Sequence, residues 1–221
     1  MSSSASPDIV TNGLVLCLDA ADRKSYPGSG TVWNDRSSNN NHGTLINGPT
    51  FSGINGGSIV FDGSNDFVSS NYMPPTGTNP RTVSIWFNPD IIQNKNLLGY
   101  GTAGPLQMWD ILLYTGSVQV HLYGSDNVAI TPYQINKWQN IVFTFTYPTI
   151  TAYMDGILKN SYTNSAINTG TGNSLSLSKG VYSPYSYFDG LMSNVQIYNR
   201  ALSEAEIKQN FKNTKSKFNI L

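Results

Sequence analysis

Residues 188–211 read FDGLMSNVQIYNRALSEAEIKQNF. The first half, GLMSNVQIY, alternates with a period of two, the mark of a strand with one buried face. The second half changes period. Ser203 and Glu206 stand three apart as a capping box, and Ile207 and Phe211 follow at i and i+4, which predicts a short amphipathic helix over about 203–211. No comparable helical pattern occurs before Ser203. Such a terminal helix either carries chemistry or closes the packing of the strands before it.

Upstream, the same alternation recurs between clusters of Gly, Pro, Asn and Asp. LVLCLD (14–19), SIVFD (58–62), FVSS (67–70) and NSLSLS (173–178) read as strands. TVSIWFNP sets Val83, Ile85 and Phe87 against Ser84, Trp86 and Asn88, and SVQVHLYG sets Val118, Val120 and Leu122 against Gln119, His121 and Tyr123. QNIVFTFT sets Ile141, Phe143 and Phe145 against Asn140, Val142 and Thr144. Asp155-Gly156 supplies the two positive-φ positions of a tight hairpin turn. Strands without intervening helices predict an all-β, antiparallel two-sheet sandwich with one short C-terminal helix.

The chain of 221 residues suits one β domain, and 39% apolar residues suffice for a full core. Only 12% of residues are charged and the formal net charge is zero; polarity comes from Ser, Thr and 25 Asn. This balance argues against nucleic acid or an anionic membrane as a partner. No apolar run reaches membrane-spanning length. Cys17, the only cysteine, excludes an internal disulfide and reads as a buried structural thiol in GLVLCLD. MSSSASPDIVTNG lacks the basic and apolar regions of a signal peptide, so synthesis in the cytosol without the general secretory route is expected. The expected layout is an N-terminal arm (1–12), a domain (13–211) and a basic C-terminal tail (212–221).

Four stretches together resemble the laminin-G-like, concanavalin-A-like jelly-roll superfamily in its bacterial and phage branch. They are GLVLCLDAADRKSY, VWNDRSSNNNHGTLINGPTF, SIVFDGSNDFVSS and the 188–211 segment. The second is similar to the family's D-x-S-G-N-x-N-H-G-T-L loop but has Ser38 and Asn39 in place of its Gly-containing pair. The resemblance implies a jelly roll whose last strand pairs near the first. The terminal helix, with its apolar edge of Leu202, Ile207 and Phe211, is then expected to plug an open end of the core or a sheet edge. The fold hosts lectins, glucanases, adhesion modules and virion proteins alike.

Glucanases of this fold resemble one another in a strand-borne E-x-D-x-x-E motif. The only glutamates here, Glu204 and Glu206, lie on the terminal helix, and Asp62 and Asp66 flank a turn, so a non-enzymatic protein is expected. His42 reads as a loop pin and His121 as a solvated strand residue. Many relatives carry calcium at a loop edge. That implies a possible Ca²⁺ site among Asp19, Asp35, Asp62, Asp66 and Asp189.

Sugar binding needs flat aromatic faces and planar amide or carboxylate groups. GVYSPYSYFDG offers Tyr182, Tyr185 and Tyr187, and QMWD adds Trp109 and Asp110, so these five are the candidate carbohydrate contacts. A lectin-like domain without signal peptide or disulfide resembles the decoration, fibre or tail modules of bacteriophage particles. The implied role is adhesion to glycan or host surface, with the terminal arms docking onto capsid or neighbouring subunits. A bacterial carbohydrate-binding or adhesion module, extracellular or at the cell surface, is the alternative, and a glucanase-like hydrolase the distant one.

Overall fold

The computed structural model describes residues 9–123 and 127–220. In chain order the strands are β1 (Leu14–Asp19), β2 (Val32–Trp33), β3 (Gly43–Ile46), β4 (Thr50–Ser52), β5 (Ser58–Asp62) and β6 (Phe67–Ser69). There follow β7 (Arg81–Pro89), β8 (Lys95–Gly101), β9 (Met108–Tyr114), β10 (Ser117–His121) and β11 (Asn127–Pro132). The last five are β12 (Gln139–Thr146), β13 (Thr149–Met154), β14 (Ile157–Thr163), β15 (Asn173–Leu177) and β16 (Asp189–Tyr198), before helix α1 (Glu204–Thr214).

The strands form two antiparallel sheets. The first runs β14-β13-β12-β7-β16-β5-β4, and the second β11-β10-β9-β8-β15-β6-β3-β2. One edge of β16 serves two partners in series: Asp189–Met192 pairs with β5, and Asn194–Tyr198 with β1. The last strand therefore joins the first, as the resemblance implied. The Asp155-Gly156 turn has φ of 54° and 74°, as its type requires.

The expected inward residues meet between the sheets. Val83, Ile85, Phe87, Ile141, Phe143 and Phe145 from the first sheet pack against Trp109, Ile111, Leu113, Val118 and Val120 from the second. Arg81 is fully buried in this layer. Its guanidinium lies 4.2 Å from the Trp109 ring centroid and 4.4 Å from that of Phe145. It donates to Pro75 O, Asn79 O and Thr169 Oγ1 at 3.1, 3.1 and 2.7 Å. Carbonyl dipoles and ring faces thus replace a counter-ion, a role open to a delocalised, weakly hydrated cation.

The helix forms with the expected capping box: Ser203 N donates to Glu206 Oε2 at 2.8 Å, and Glu206 N donates to Ser203 Oγ at 3.4 Å. It continues to Thr214, beyond the expected end at 211. Its position also differs from the expected plug at a core end or sheet edge. It lies across the outer face of the first sheet, because that face carries apolar groups that no other element covers. Leu202 and Ile207 pack on Val142, Tyr153 and Tyr198. Trp86 stacks on Phe211 and Phe218, with centroids 5.6 and 4.3 Å away, and its Nε1 donates to Thr214 Oγ1 at 2.9 Å.

The expected basic tail is folded. Residues Lys215–Phe218 form a 3₁₀ turn that buries Phe218 between Trp86 and Trp138, and Lys217 Nζ bonds Asp19 Oδ2 at 2.6 Å. The chain from 212 to 220 is therefore part of the packing and does not form a free docking arm. Residues 9–12 are likewise tied down. Val10 N donates to Asn210 Oδ1, Tyr198 Oη to Val10 O and Arg200 Nε to Asn12 O, each at 2.9 Å. The rest of the expected N-terminal arm, 1–8, lies outside the described residues.

Replacing Phe218 with Ala should empty the slot between two tryptophans and destabilise the domain by about 3 kcal/mol. Urea denaturation followed by tryptophan emission checks this.

Candidate functional site

The terminal helix and the turn after it cover the outer face of the first sheet at Trp86, Val142, Tyr153 and Tyr198. Among the described residues, no α-helix lies on the outer face of the second. Across three neighbouring strands, Gln119 on β10 opposes Leu112 on β9, which opposes Asn96 on β8. In the next row His121 opposes Asp110, which opposes Gly99. The outward phase of β10 read from the sequence is thus correct, but His121 is only 7% exposed and is not a solvated residue. Segment 179–187 lies over it and its neighbours.

That segment is seated on the sheet by hydrogen bonds at both of its ends. Val181 N and Tyr182 N donate to Asp110 Oδ1 and Oδ2 at 3.0 and 3.3 Å. Lys95 Nζ donates to Ser186 O at 2.7 Å, and Phe188 N to Ser178 Oγ at 2.9 Å. Two glycines allow the close approach. A Cβ on Gly99 would run into Asp110 Oδ1 and lie 2.7 Å from Gly180 Cα, and one on Gly180 would run into Asn96 Nδ2. Asp110 is fully buried, and burial pushes its carboxyl up to about 7 against the opposing pull of the two backbone N–H groups.

The segment presents Tyr182 and Tyr185 beside β9 and β10. Tyr185 meets Tyr114 and His121 edge-on, with centroids 5.8 Å apart in both pairs. Tyr182 meets Tyr123 edge-on at 5.4 Å and Tyr185 at 5.7 Å. His121, Tyr123, Tyr182 and Tyr185 line a cleft of about 320 Å³. Burial holds the His121 imidazole below its ordinary value, which favours the neutral ring.

On the other side of the segment the face opens into two hollows lined chiefly by uncharged polar groups. One of about 190 Å³ lies along β6 and β15 and includes Ser69, Asn173, Ser176 and Lys179. The second, of about 500 Å³, is lined by Asn40, Asn41, His42, Thr44, Ser69 and Tyr72 among others. No Asp or Glu lines these three hollows among the described residues.

The structure brings together Tyr182, Tyr185 and Asp110 but separates two other candidates. Trp109 is fully buried against Tyr100, Phe145 and Arg81, because it shares the inward phase of Ile111 and Leu113, so it offers no face to a sugar. Tyr187 packs instead against Phe67, 6.3 Å between centroids. Asp110 acts beneath the tyrosines, as their anchor. Tyr114, His121 and Tyr123 were missed as site residues, although the alternation of SVQVHLYG already put the latter two on one face.

The five candidate calcium ligands do not come together as one group. Asp19 holds Lys217. Asp35 accepts from Cys17 N, Ser37 N, Ser37 Oγ and Asn41 N, all within 3.0 Å, and His42 Nδ1 accepts from Asp35 N, so both pin the 35–42 loop. Ser38 takes φ of 74° there, where the family loop has glycine. Asp62 Oδ1 accepts from Ser64 N at 2.9 Å, and Asp66 Oδ2 from Asp62 N at 3.3 Å, which is turn chemistry. Asp189 opposes Asp62 across β16 and β5, and burial, Asp90 and Asp62 together raise its carboxyl. Among the described residues, no three His, Cys, Asp or Glu side chains are grouped to hold a metal ion.

Residues 62–208 match the profile of the concanavalin A-like lectin/glucanases superfamily. The chain belongs to this superfamily. No curated protein matches it in sequence. Among solved structures, this concanavalin A-like domain resembles domain 4 of AbnA, a GH43 extracellular arabinanase from Geobacillus stearothermophilus, in complex with arabinotriose. The TM-score is 0.70 and the identity 17%, covering 89% of this chain and 97% of that one. The receptor-binding domain of a botulinum neurotoxin C/D mosaic serotype gives 0.68 and 12%, covering 92% and 52%. Trypanosoma rangeli sialidase in complex with the inhibitor DANA gives 0.65 and 16%, covering 94% and 35%. The chain thus spans nearly all of the arabinanase domain, about half of the toxin domain and a third of the sialidase. At these identities the likeness is one of fold, which binding domains and glycosidases share.

The Asp110 carboxyl makes a pH signature. Its folded value is raised from 3.8 to about 7, so the folded protein keeps a proton that the unfolded chain loses. This group's contribution should fall as pH rises from about 4 to about 7, by at most ~1.4 kcal/mol per pH unit, and level off above. Urea titrations at stepped pH should show that slope in the wild type and its loss in Asp110→Asn.

Proposed function

We propose that this chain is a non-catalytic carbohydrate-binding domain that takes a glycan on the outer face of its second sheet, at the cleft formed by Tyr182, Tyr185, Tyr123 and His121. One observation carries the reading: four tyrosines and a histidine cluster on the face that the terminal helix leaves open. Tyr rings offer apolar bodies to sugar C–H groups and hydroxyl tips to sugar oxygens. The flanking hollows are lined chiefly by amides and hydroxyls, which suits a polyhydroxylated ligand of little charge. The bound arabinotriose of the superposable arabinanase domain supports the same ligand class.

A glycosidase needs two carboxyls facing each other about 5 to 10 Å apart. The Asp110 carboxyl lies under the tyrosine segment with both oxygens engaged, and no acid lines the three hollows of this face among the described residues. The acids of a hollow elsewhere, Asp19 and Asp22, are paired with Lys217 and Arg36. These features favour binding over cleavage.

The setting drawn from the sequence is the surface of a bacteriophage particle, with a bacterial adhesion module as the alternative. It is supported by a packed domain held without disulfides, whose one thiol is buried and pushed up to about 12 by that burial. Either setting uses the same open face.

On a glycan array the wild type should bind a neutral oligosaccharide. Tyr182→Ala and Tyr185→Ala should each weaken binding about tenfold, equivalent to about 1.4 kcal/mol, with little change in melting temperature. Unchanged binding in both variants would remove the cleft from the site. Release of reducing ends from the bound glycan, abolished by Asp110→Asn, would establish a hydrolase instead. Detection of the protein in purified phage particles distinguishes the two settings.

A further inference from the structure

Beneath segment 179–187, and within it at Ser186, lies a set of polar atoms with no hydrogen-bond partner among the described residues. They are both side-chain heteroatoms of Asn96, Nε2 of Gln119, Nδ1 of His121 and Oγ of Ser186. These residues are 0, 4, 7 and 5% exposed, so solvent at the surface does not serve them. Folded proteins leave few such atoms, because each carries most of its desolvation penalty uncompensated. Here they share one patch. Asn96 and Gln119 flank Leu112 from the two neighbouring strands, and His121 stands one row away beside Asp110 while lining the tyrosine cleft.

The cover over this patch is a loop segment held by hydrogen bonds and ring contacts, with no strand pairing to the sheet among the described residues. Its hydrogen bonds to the sheet run from two backbone N–H groups to Asp110, from Lys95 Nζ to Ser186 O and from Ser176 Oγ to Lys179 O. Ring contacts of Tyr182, Tyr185 and Tyr187 stand beside these, and Gly180 packs directly over Gly99. Lifting it frees both Asp110 oxygens and the donors of Val181 and Tyr182. The exposed floor would then offer two amides, each with one acceptor and two donors, an imidazole and a carboxylate. Neighbouring hydroxyls of a sugar ring, which donate and accept in pairs, match such a floor.

We infer that segment 179–187 is a lid, and that Asn96, Gln119 and His121 form the floor of a buried subsite that binds adjacent hydroxyls of a neutral sugar ring, with Tyr182 and Tyr185 closing over its other face. This deepens the glycan-binding reading and rests on it.

The test uses two near-isosteric replacements, Gln119→Met and Asn96→Leu, which delete the unpartnered atoms while keeping side-chain bulk. Each should raise the melting temperature of the free protein, by roughly 2 °C, and weaken binding at least tenfold to the neutral oligosaccharide that the wild type selects on the array. Gly99→Ala adds a Cβ that meets Asp110 Oδ1 and the lid at Gly180 Cα, and it leaves the side chains of Asn96, Gln119 and His121 unreplaced. It should speed hydrogen exchange of the Val181 and Tyr182 amides and raise the association rate for the same oligosaccharide. Lower stability in the Met and Leu variants would mean that enclosed water serves these atoms, and would overturn the inference. So would undiminished binding in both, or an unchanged association rate in a Gly99→Ala protein whose amides are deprotected. If Tyr182→Ala and Tyr185→Ala weaken binding while Gln119→Met and Asn96→Leu do not, the lid alone is refuted. If none of the four does, the glycan reading falls as well.

Discussion

The contact on which this molecule depends is the stack of Trp86 with Phe211 and Phe218. A strand in a sandwich buries one face against the opposite sheet and turns the other away from it. On β7 the outward face carries a tryptophan whose large apolar ring favours burial. The terminal helix and the 3₁₀ turn after it supply the cover, and Thr214 satisfies the indole N–H. The same cover buries Val142, Tyr153 and Tyr198 on the outer face of the first sheet.

On that second sheet the organising group is a single carboxylate. Asp110 lies where burial disfavours its charge, yet its two oxygens receive consecutive backbone N–H groups and so fix the course of the tyrosine segment. The seat is possible only because Gly99 and Gly180 bring no side chains between the segment and the sheet. The result is a tyrosine cluster anchored at one end by Asp110, with Asn96, Gln119 and His121 on the strands beside it. Chains of this superfamily place different chemistry on the same sheets, and here the open face is built mainly of amides, hydroxyls and rings.

The sequence was legible wherever a strand has one inward and one covered or open face with contrasting residues. β7, β10 and β12 show this, and their inward residues meet in the core as the alternation indicates. β8 and β9 were not legible as strands. Both faces of β9 are buried, one by the opposite sheet and one by segment 179–187, so Leu112 joins Ile111 and Leu113 in an unbroken apolar run. A bulge between Asn96 and Leu98 buries Leu97 and Leu98 together on β8. The misplaced Trp109 follows from the same gap. Once β9 is known to be a strand, its phase with Ile111 sends the ring inward.

Local pattern alone settled the inward phase of the alternating strands, the capped terminal helix and the turn at Asp155-Gly156, since each is fixed by residues only a few positions apart. The tertiary structure decided which outward faces would be covered: Trp86 by a segment 128 positions later, and Asp110 by one about 70 later. Coverage depends on which distant segments pack against a strand. A strand's own residues carry its preference for burial, but not the identity of its partner.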